Sequence, residues 1–178
     1  THGRLGIEGF DFGKFNGTQV SGLENAILNS YCNCWVQIMF HLPSVRSRCM
    51  AHLCNKELCL TCELSFLFHM LASAKGGNCQ ATNFLRAFRQ LPEAQALELL
   101  ETGENQATTN LPHRIVSFNA YVLEQMRKET AGSLVERGVD ELFGATYVQE
   151  STCCACNDVK QKSSRDLQCR LVYPQPPR

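Results

Sequence analysis

Several features are missing from this sequence, and each absence removes a class of protein. No apolar run approaches the ~20 residues that a membrane-spanning helix needs, and the first four residues do not begin a signal peptide. Net charge is missing too, because 17 basic and 17 acidic residues balance. A nucleic-acid groove carries an excess of positive charge, so we expect neither membrane nor direct RNA binding. Internal repeats are also absent.

The sequence does contain enough apolar material for a core, and it is rich in cysteine. Apolar residues make up 44% of the 178 positions, which is typical of a globular domain. The eleven cysteines are an odd number and cluster in close pairs, whereas a disulfide framework spreads its cysteines. In a reducing compartment such clusters indicate metal binding more often than disulfides, so we expect a cytosolic or nuclear protein.

The hydrophobic pattern predicts a helical lobe followed by strands, which is an α+β architecture. Residues 1–21 are a lead-in, residues 22–143 the helical lobe and residues 144–178 the strand region. The sequence lacks an initiator Met and ends on a proline-rich segment, so we expect an excerpt of a longer protein. Apolar spacing predicts helices over residues 30–42, 45–53, 61–74, 82–91, 94–100, 111–128 and 139–143. Residues 145–149, 159–162 and 167–173 are predicted strands around a cysteine turn.

The first of these helices is the element around which the chain is organised. Asn29 or Ser30 can accept a hydrogen bond from a free amide of the first turn, and Pro43 cannot continue the helix. A side chain at a helix N-terminus feels the positive end of the dipole, where thiol enzymes keep their nucleophile. Here that position holds Ser30, whose hydroxyl needs an adjacent base to attack a carbonyl. The predicted buried face carries Cys32, Trp35, Val36, Met39 and Phe40.

Residues 22–37 resemble the cysteine box of ubiquitin-specific proteases. That box runs Gly-Leu-x-Asn, four further residues, Cys-Tyr-x-Asn, and Gln after three more. The residues in register are Gly22, Leu23, Asn25, Tyr31, Asn33 and Gln37, while Ser30 stands in register with the nucleophilic cysteine. The resemblance implies a papain-like ubiquitin-specific protease fold, of which this chain is the N-terminal half: the helical thumb lobe and the first strands of the fingers.

The resemblance also implies a protease-like domain without its nucleophile, for which we expect no direct ubiquitin binding. In active relatives the position of Asn25 helps to hold the oxyanion; here a turn residue that bonds its own backbone is the simpler interpretation. An active protease with a shifted nucleophile, Cys32 or Cys34, is an alternative. These residues lie two and four positions past Ser30, and a rotation of about 100° per residue turns them elsewhere. The family's catalytic His and its Asp or Asn partner come from the second half of the fold.

A first cysteine cluster has the spacing of a metal site. His52 and Cys54 precede Cys59 and Cys62, a Cys-x-x-Cys pair that enters a helix, and together they can supply four ligands to one tetrahedral zinc ion. Cys49 could substitute for Cys54. A buried thiol cluster without metal is the alternative, because free cysteines are common small core residues. The same residues leave open a third function, that of a self-contained zinc-binding interaction module.

A second Cys-x-x-Cys pair, Cys153 with Cys156, lies between two predicted strands. A pair of this kind supplies two of the four thiolates of a zinc knuckle, so it is a half-site. In the resembling family the other two thiolates come from further along the chain. Cys169 is predicted to pack in the middle of a strand and not to bind metal.

Two further blocks, residues 52–71 and 83–89, narrow the resemblance. They are similar to the protease-like middle region of the catalytic subunits of poly(A)-nuclease deadenylation complexes, whose box has degenerated to Asn-Ser/Ala-Tyr-Cys-Asn, as at residues 29–33. The resemblance implies a scaffold that packs on a 3′–5′ exonuclease and positions it relative to a pseudokinase-type regulatory subunit. Poly(A) mRNA and poly(A)-binding protein would contact other parts of the complex, and Mg²⁺ would belong to the exonuclease domain outside this sequence. The implied location is the cytoplasm with its P-bodies, and also the nucleus.

Overall fold

The computed structural model describes residues 14, 17–25, 30–100, 110–130 and 138–169, and the chain divides into two units between residues 109 and 110. The described part of the first unit is helical, with α1 (Ser30–His41), α2 (Pro43–Met50), α3 (Leu60–Ser73), α4 (Thr82–Arg89) and α5 (Pro92–Ala96). The second unit contains α6 (Leu111–Thr130), α7 (Gly138–Phe143), β1 (Ala145–Thr152) and β2 (Val159–Asp166). This mixture of helices and a sheet confirms the predicted α+β class. Among the described helices, none has the length and the apolar content that crossing a bilayer requires.

The core of the first unit is built from the apolar helix faces that the sequence predicts. The face of α1 that carries Trp35, Val36 and Phe40 is buried. Phe40 meets Phe68 of α3 edge to face, with ring centroids 5.5 Å apart, and Phe68 is fully buried. The remaining predicted core residues of α3 and of the segment from α4 to residue 91 are buried as well: Leu64, Leu67, Leu71, Phe84, Leu85, Phe88 and Leu91.

Two predicted helices differ from the structure at both ends, and proline explains where each one begins. The helix predicted over residues 45–53 is α2, which begins at Pro43 and ends at Met50. The helix predicted over residues 94–100 is α5, which begins at Pro92 and ends at Ala96. Proline has no N–H to donate, and the first turn of a helix needs none, so a proline that ends one helix also begins the next.

A long-range backbone pairing joins the segment before α1 to the segment before α4. Leu23 and Cys79 form a parallel bridge, in which the Glu24 N–H donates to the Cys79 carbonyl at 2.8 Å. The Cys79 N–H donates in turn to the Gly22 carbonyl at 2.9 Å. Nearby, Gly76 has φ +90°, a conformation that suits glycine. This contact fixes residues 22–24 against residue 79, and no local sequence pattern predicts it.

In the second unit, α6 buries Phe118, Val122 and Met126 as predicted. Ile115, which is predicted to face inward, is 42% exposed instead. Arg127 pairs with Asp140 of α7 at 3.1 Å, so an ion pair joins the two helices of this unit.

The two strands form an antiparallel hairpin, with Ala145 opposite Asp166 and Thr152 opposite Val159. Both strands run longer than predicted, and every residue of β1 is exposed. Residues 167–169 bend, where the sequence predicts the start of a third strand; the rest of that strand, residues 170–173, lies outside the described residues. The contacts place α6 and α7 in one unit with this hairpin.

Candidate functional site

Ser30 is the first residue of α1, and it is exposed. The predicted alternative cap, Asn29, belongs to residues 26–29, which lie outside the described residues. The helix therefore presents a hydroxyl at the end where its dipole is positive. Asn25 is also exposed. The turn in which its side chain is predicted to bond the backbone includes residues 26–29, so this prediction falls outside the described residues.

The two thiols that follow Ser30 occupy different surroundings on α1. Cys32 is completely buried in the face of α1 that packs into the core. Cys34 is exposed but lies one helical turn away from the N-terminus. His41, on the same helix, is seven residues further on, which is about 10 Å along the axis and too far for a general base. A shifted nucleophile thus lacks either access or a base within α1.

Three other residues of the box hold backbone segments against α1. Each uses a side-chain donor that reaches a main-chain carbonyl distant in sequence, and such a bond contributes about 1 kcal/mol to folding. These residues therefore have a structural role in this chain. The three bonds run from the Tyr31 hydroxyl to Leu99, from Asn33 Nδ2 to Glu24 at 3.1 Å and from Gln37 Nε2 to Ser21 at 3.1 Å.

The first cysteine cluster converges in space. The ligand atoms of His52, Cys54, Cys59 and Cys62 all lie within 4.8 Å of one another. His52 Nε2 is 3.3 Å from Cys59 Sγ, and Cys54 Sγ is 3.3 Å from Cys62 Sγ. In a tetrahedral site with Zn–S bonds of about 2.3 Å, neighbouring sulfurs are about 3.8 Å apart, so small side-chain movements would accommodate an ion.

Local structure explains why these four residues meet. Cys59 precedes α3 in an extended conformation, and its carbonyl accepts a hydrogen bond from the Glu63 N–H at 3.2 Å. The Cys-x-x-Cys spacing then places Cys62 in the first turn of α3. At the other end, the His52 N–H donates to the Cys49 carbonyl at 3.1 Å, just after α2. The end of α2 and the start of α3 thus hold opposite sides of the cluster.

The four ligands differ in exposure, and the thiols differ in pKa. His52 and Cys59 are each 4% exposed, whereas Cys54 and Cys62 are half-buried. A hydrogen bond from the Lys56 backbone N–H lowers the pKa of Cys54, and burial raises that of Cys62. Three thiols and an imidazole are soft and borderline ligands, a set that suits zinc and not the hard cations Mg²⁺ or Ca²⁺.

Cys49, the possible substitute for Cys54, is not a member of this group. It is 3% exposed, and burial raises the pKa of its thiol to about 12. It therefore stays protonated at neutral pH and packs as a small apolar side chain.

The second Cys-x-x-Cys pair lies in the exposed turn between β1 and β2. The Cys153 N–H donates to the Asp158 carbonyl at 2.9 Å, and the Asn157 N–H donates to the Cys153 carbonyl at 2.8 Å. Backbone N–H groups, that of Cys156 foremost, lower the pKa of the Cys153 thiol. Within the part of the chain that the structure describes, no third His, Cys, Asp or Glu ligand joins this pair. Cys169 is exposed in the bend after β2, so the prediction that it packs within a strand is wrong.

Comparison with known proteins matches residues 21–178 to the model of the ubiquitin carboxyl-terminal hydrolase family. Among curated proteins, the PAN2-PAN3 deadenylation complex catalytic subunit PAN2 of Gallus gallus is 40% identical, with 98% of this chain and 16% of the relative covered. The Homo sapiens protein of the same name is 37% identical, with 97% and 16% covered. This chain therefore spans about a sixth of the length of those relatives.

Three solved structures with a similar fold come from the same group of proteins. The Neurospora crassa Pan2 catalytic unit, with protease and nuclease domain, has a TM-score of 0.64 and 28% identity, and covers 98% of this chain and 32% of its own. The Saccharomyces cerevisiae PAN2 pseudoubiquitin-hydrolase has a TM-score of 0.58 and 26% identity, over 86% and 40%. The pseudoubiquitin hydrolase-RNA exonuclease module of that yeast protein in complex with A7 RNA has a TM-score of 0.64 and 26% identity, over 93% and 29%.

Proposed function

This chain belongs to the ubiquitin carboxyl-terminal hydrolase family, and on that premise we propose that it is a non-catalytic scaffold domain of a Pan2-type deadenylase subunit. One observation carries the proposal: Ser30, in register with the family's nucleophilic cysteine, is the exposed first residue of α1. A serine hydroxyl is barely ionised at neutral pH and needs a base beside it to attack a carbonyl. The burial of Cys32 supports the same conclusion, because it removes the nearest substitute.

The structural use of the box supports a scaffold. Tyr31, Asn33 and Gln37 bind main-chain carbonyls and so hold residues 21, 24 and 99 beside α1. Selection for a stable fold is sufficient to keep such residues after catalysis is lost. A domain of this kind contributes a rigid surface to its neighbours.

In the longer protein, we propose that this domain packs on a Mg²⁺-dependent 3′–5′ exonuclease that shortens poly(A) tails, and helps to position it relative to a pseudokinase-type regulatory subunit. The names of the relatives support this, since they are catalytic subunits of a PAN2-PAN3 deadenylation complex, and one solved relative combines the hydrolase-like and exonuclease domains. The zero net charge of this chain supports contacts with poly(A) mRNA and poly(A)-binding protein through other parts of the complex. The corresponding location is the cytoplasm, including P-bodies, and the nucleus.

The absence of protease chemistry can be tested with ubiquitin that carries an electrophile at its C-terminus. We expect no covalent adduct on this chain, while an active ubiquitin-specific protease run in parallel is labelled to completion. Cys34→Ser is the matched variant, because it removes the exposed thiol of α1 and should change nothing. Stoichiometric labelling that maps to Cys32 or Cys34 would overturn the proposal and favour the shifted nucleophile.

The scaffold role can be tested in the full-length protein with its exonuclease. We expect Ser30→Ala to leave the rate of poly(A) shortening unchanged within twofold. Phe68→Ala, which leaves a cavity in the core of the domain, should lower that rate or the yield of assembled complex. A large loss of deadenylation in Ser30→Ala would mean that this side chain takes part in the function and is not a relic.

We also propose that His52, Cys54, Cys59 and Cys62 bind one structural Zn²⁺. The convergence of their ligand atoms within 4.8 Å and the choice of three thiols and one imidazole support it. The ion would join the end of α2 to the start of α3. Metal analysis of the purified chain should find one equivalent of zinc, and Co²⁺ in its place should give the visible bands of a tetrahedral thiolate site. If the purified chain is folded and contains no metal, a buried thiol cluster without metal is the correct interpretation.

A further inference from the structure

We propose that the His52–Cys54–Cys59–Cys62 centre is a redox-releasable zinc site, in which oxidation joins Cys54 to Cys62 and expels the ion. The proposal rests on the zinc binding proposed above. It is based on a difference in exposure within the cluster. His52 and Cys59 are buried, whereas Cys54 and Cys62 are half-exposed.

The geometry selects which two sulfurs combine. Cys54 Sγ and Cys62 Sγ are 3.3 Å apart without metal and would be about 3.8 Å apart around zinc, so a disulfide bond of about 2.05 Å needs an approach of less than about 2 Å. Cys54 belongs to the loop between α2 and α3, which can move further than a residue within a helix. Cys59, by contrast, is enclosed and lies 3.3 Å from the His52 ring. A dissolved oxidant therefore reaches the Cys54 and Cys62 pair first.

The reaction needs a two-electron oxidant, which hydrogen peroxide supplies. The Cys54 thiolate attacks one peroxide oxygen and the O–O bond breaks, which gives a sulfenic acid and hydroxide. The Cys62 thiolate then attacks the Cys54 sulfur, the S–S bond forms and a second hydroxide leaves. Both hydroxides take protons from solvent to become water, so the two thiolates are oxidised and one peroxide is reduced.

The zinc ion leaves because two of its four ligands are lost, and the Cys59 thiolate takes up a proton. The new disulfide spans the same gap that the ion had bridged, between the loop and the first turn of α3. The first unit is therefore expected to keep its fold after zinc leaves. A reductant with added Zn²⁺ would reverse the change.

The experiment uses the full chain loaded with one equivalent of Zn²⁺ and treated with hydrogen peroxide. A colorimetric chelator follows zinc release, and mass spectrometry without reduction maps the cross-link. We expect close to one zinc released per chain, a disulfide between Cys54 and Cys62, and recovery of zinc binding after dithiothreitol and Zn²⁺. The variant Cys62→Ser keeps three of the four ligands. In this variant the oxidation of Cys54 should stop at the sulfenic acid, which dimedone traps. Cys34→Ser, which changes an exposed thiol outside the centre, should behave as the parent chain does.

The outcomes distinguish the redox release from the zinc binding on which it rests. A chain that binds no zinc before peroxide is added would refute the zinc site itself. A chain that binds zinc but retains it under peroxide, or that forms Cys59–Cys62 or another pair, would refute the redox release alone. The disulfide map of the parent chain needs no variant, so the result stands even if a substitution prevents folding.

Discussion

The two Cys-x-x-Cys pairs of this chain have the same spacing and very different surroundings. Cys59 and Cys62 begin α3 and meet His52 and Cys54 within 4.8 Å. Cys153 and Cys156 lie in an exposed hairpin turn. The comparison teaches that this spacing supplies only half of a metal site. The other half depends on what the fold packs beside it, so the two pairs should respond differently to every perturbation of thiols or metal.

Zinc affinity should separate the two pairs most strongly. Cys59→Ser should weaken binding about a hundredfold to a thousandfold, because structural sites bind with roughly 10–16 kcal/mol and one of four ligands, about a quarter of that free energy, is lost. The matched change Cys156→Ser should leave the affinity of the first site unchanged within about twofold. Competition titration against a chelator of known affinity measures both. A loss in Cys156→Ser with none in Cys59→Ser would mean that the hairpin pair, and not the His52 cluster, holds the metal.

The next difference expected between the two units is in the free energy of unfolding that a single side chain contributes by packing. Phe68→Ala should lower the free energy of unfolding by about 3–5 kcal/mol, because a fully buried aromatic side chain is replaced by a cavity. Val148→Ala, at a 62% exposed position of β1, should change it by less than about 0.5 kcal/mol. Urea denaturation followed by far-ultraviolet circular dichroism gives both values. A large effect of Val148→Ala would reveal a packing partner for the hairpin.

Thiol reactivity should give a third contrast. The thiolate is the reactive form, and at pH 8 a pKa of about 12 leaves roughly one Cys49 side chain in ten thousand ionised. The lowered pKa of the exposed Cys153 favours its thiolate, so its alkylation by iodoacetamide should be at least about a hundredfold faster. As pH rises from 7 to 9, the rate at Cys153 should level off first, while that at Cys49 should still increase. Timed mass spectrometry measures each site, and similar rates would contradict these environments.

The smallest expected effect concerns the box. Gln37→Ala removes the bond from Nε2 to the Ser21 carbonyl and should destabilise the chain by about 1 kcal/mol. Gln90→Ala, at an exposed position after α4, is the matched control and should have an effect within about 0.5 kcal/mol of zero. Thermal unfolding of the two variants side by side measures the difference. Identical melting curves would mean that the bond is not formed in solution.

The sequence by itself determined the local features of this protein. The buried face of α1, with Trp35 and Val36 at helical spacing, follows from periodicity, because residues three and four apart share one side of a helix. The grouping of the first cysteine cluster could be predicted for a similar reason. Its four members lie within eleven positions of one another, at the end of one helix and the start of the next.

Only the tertiary structure decided which residues meet across long separations and which stay exposed. The bridge between Leu23 and Cys79 joins residues more than fifty positions apart, and no local pattern records such a pairing. Ile115 has the spacing of a core residue yet remains 42% exposed, because periodicity marks a helix face and not whether a neighbour covers it. The same limit applies to the two Cys-x-x-Cys pairs. Spacing along the chain brings two sulfurs together, but burial and further ligands come from elements that only folding places beside them.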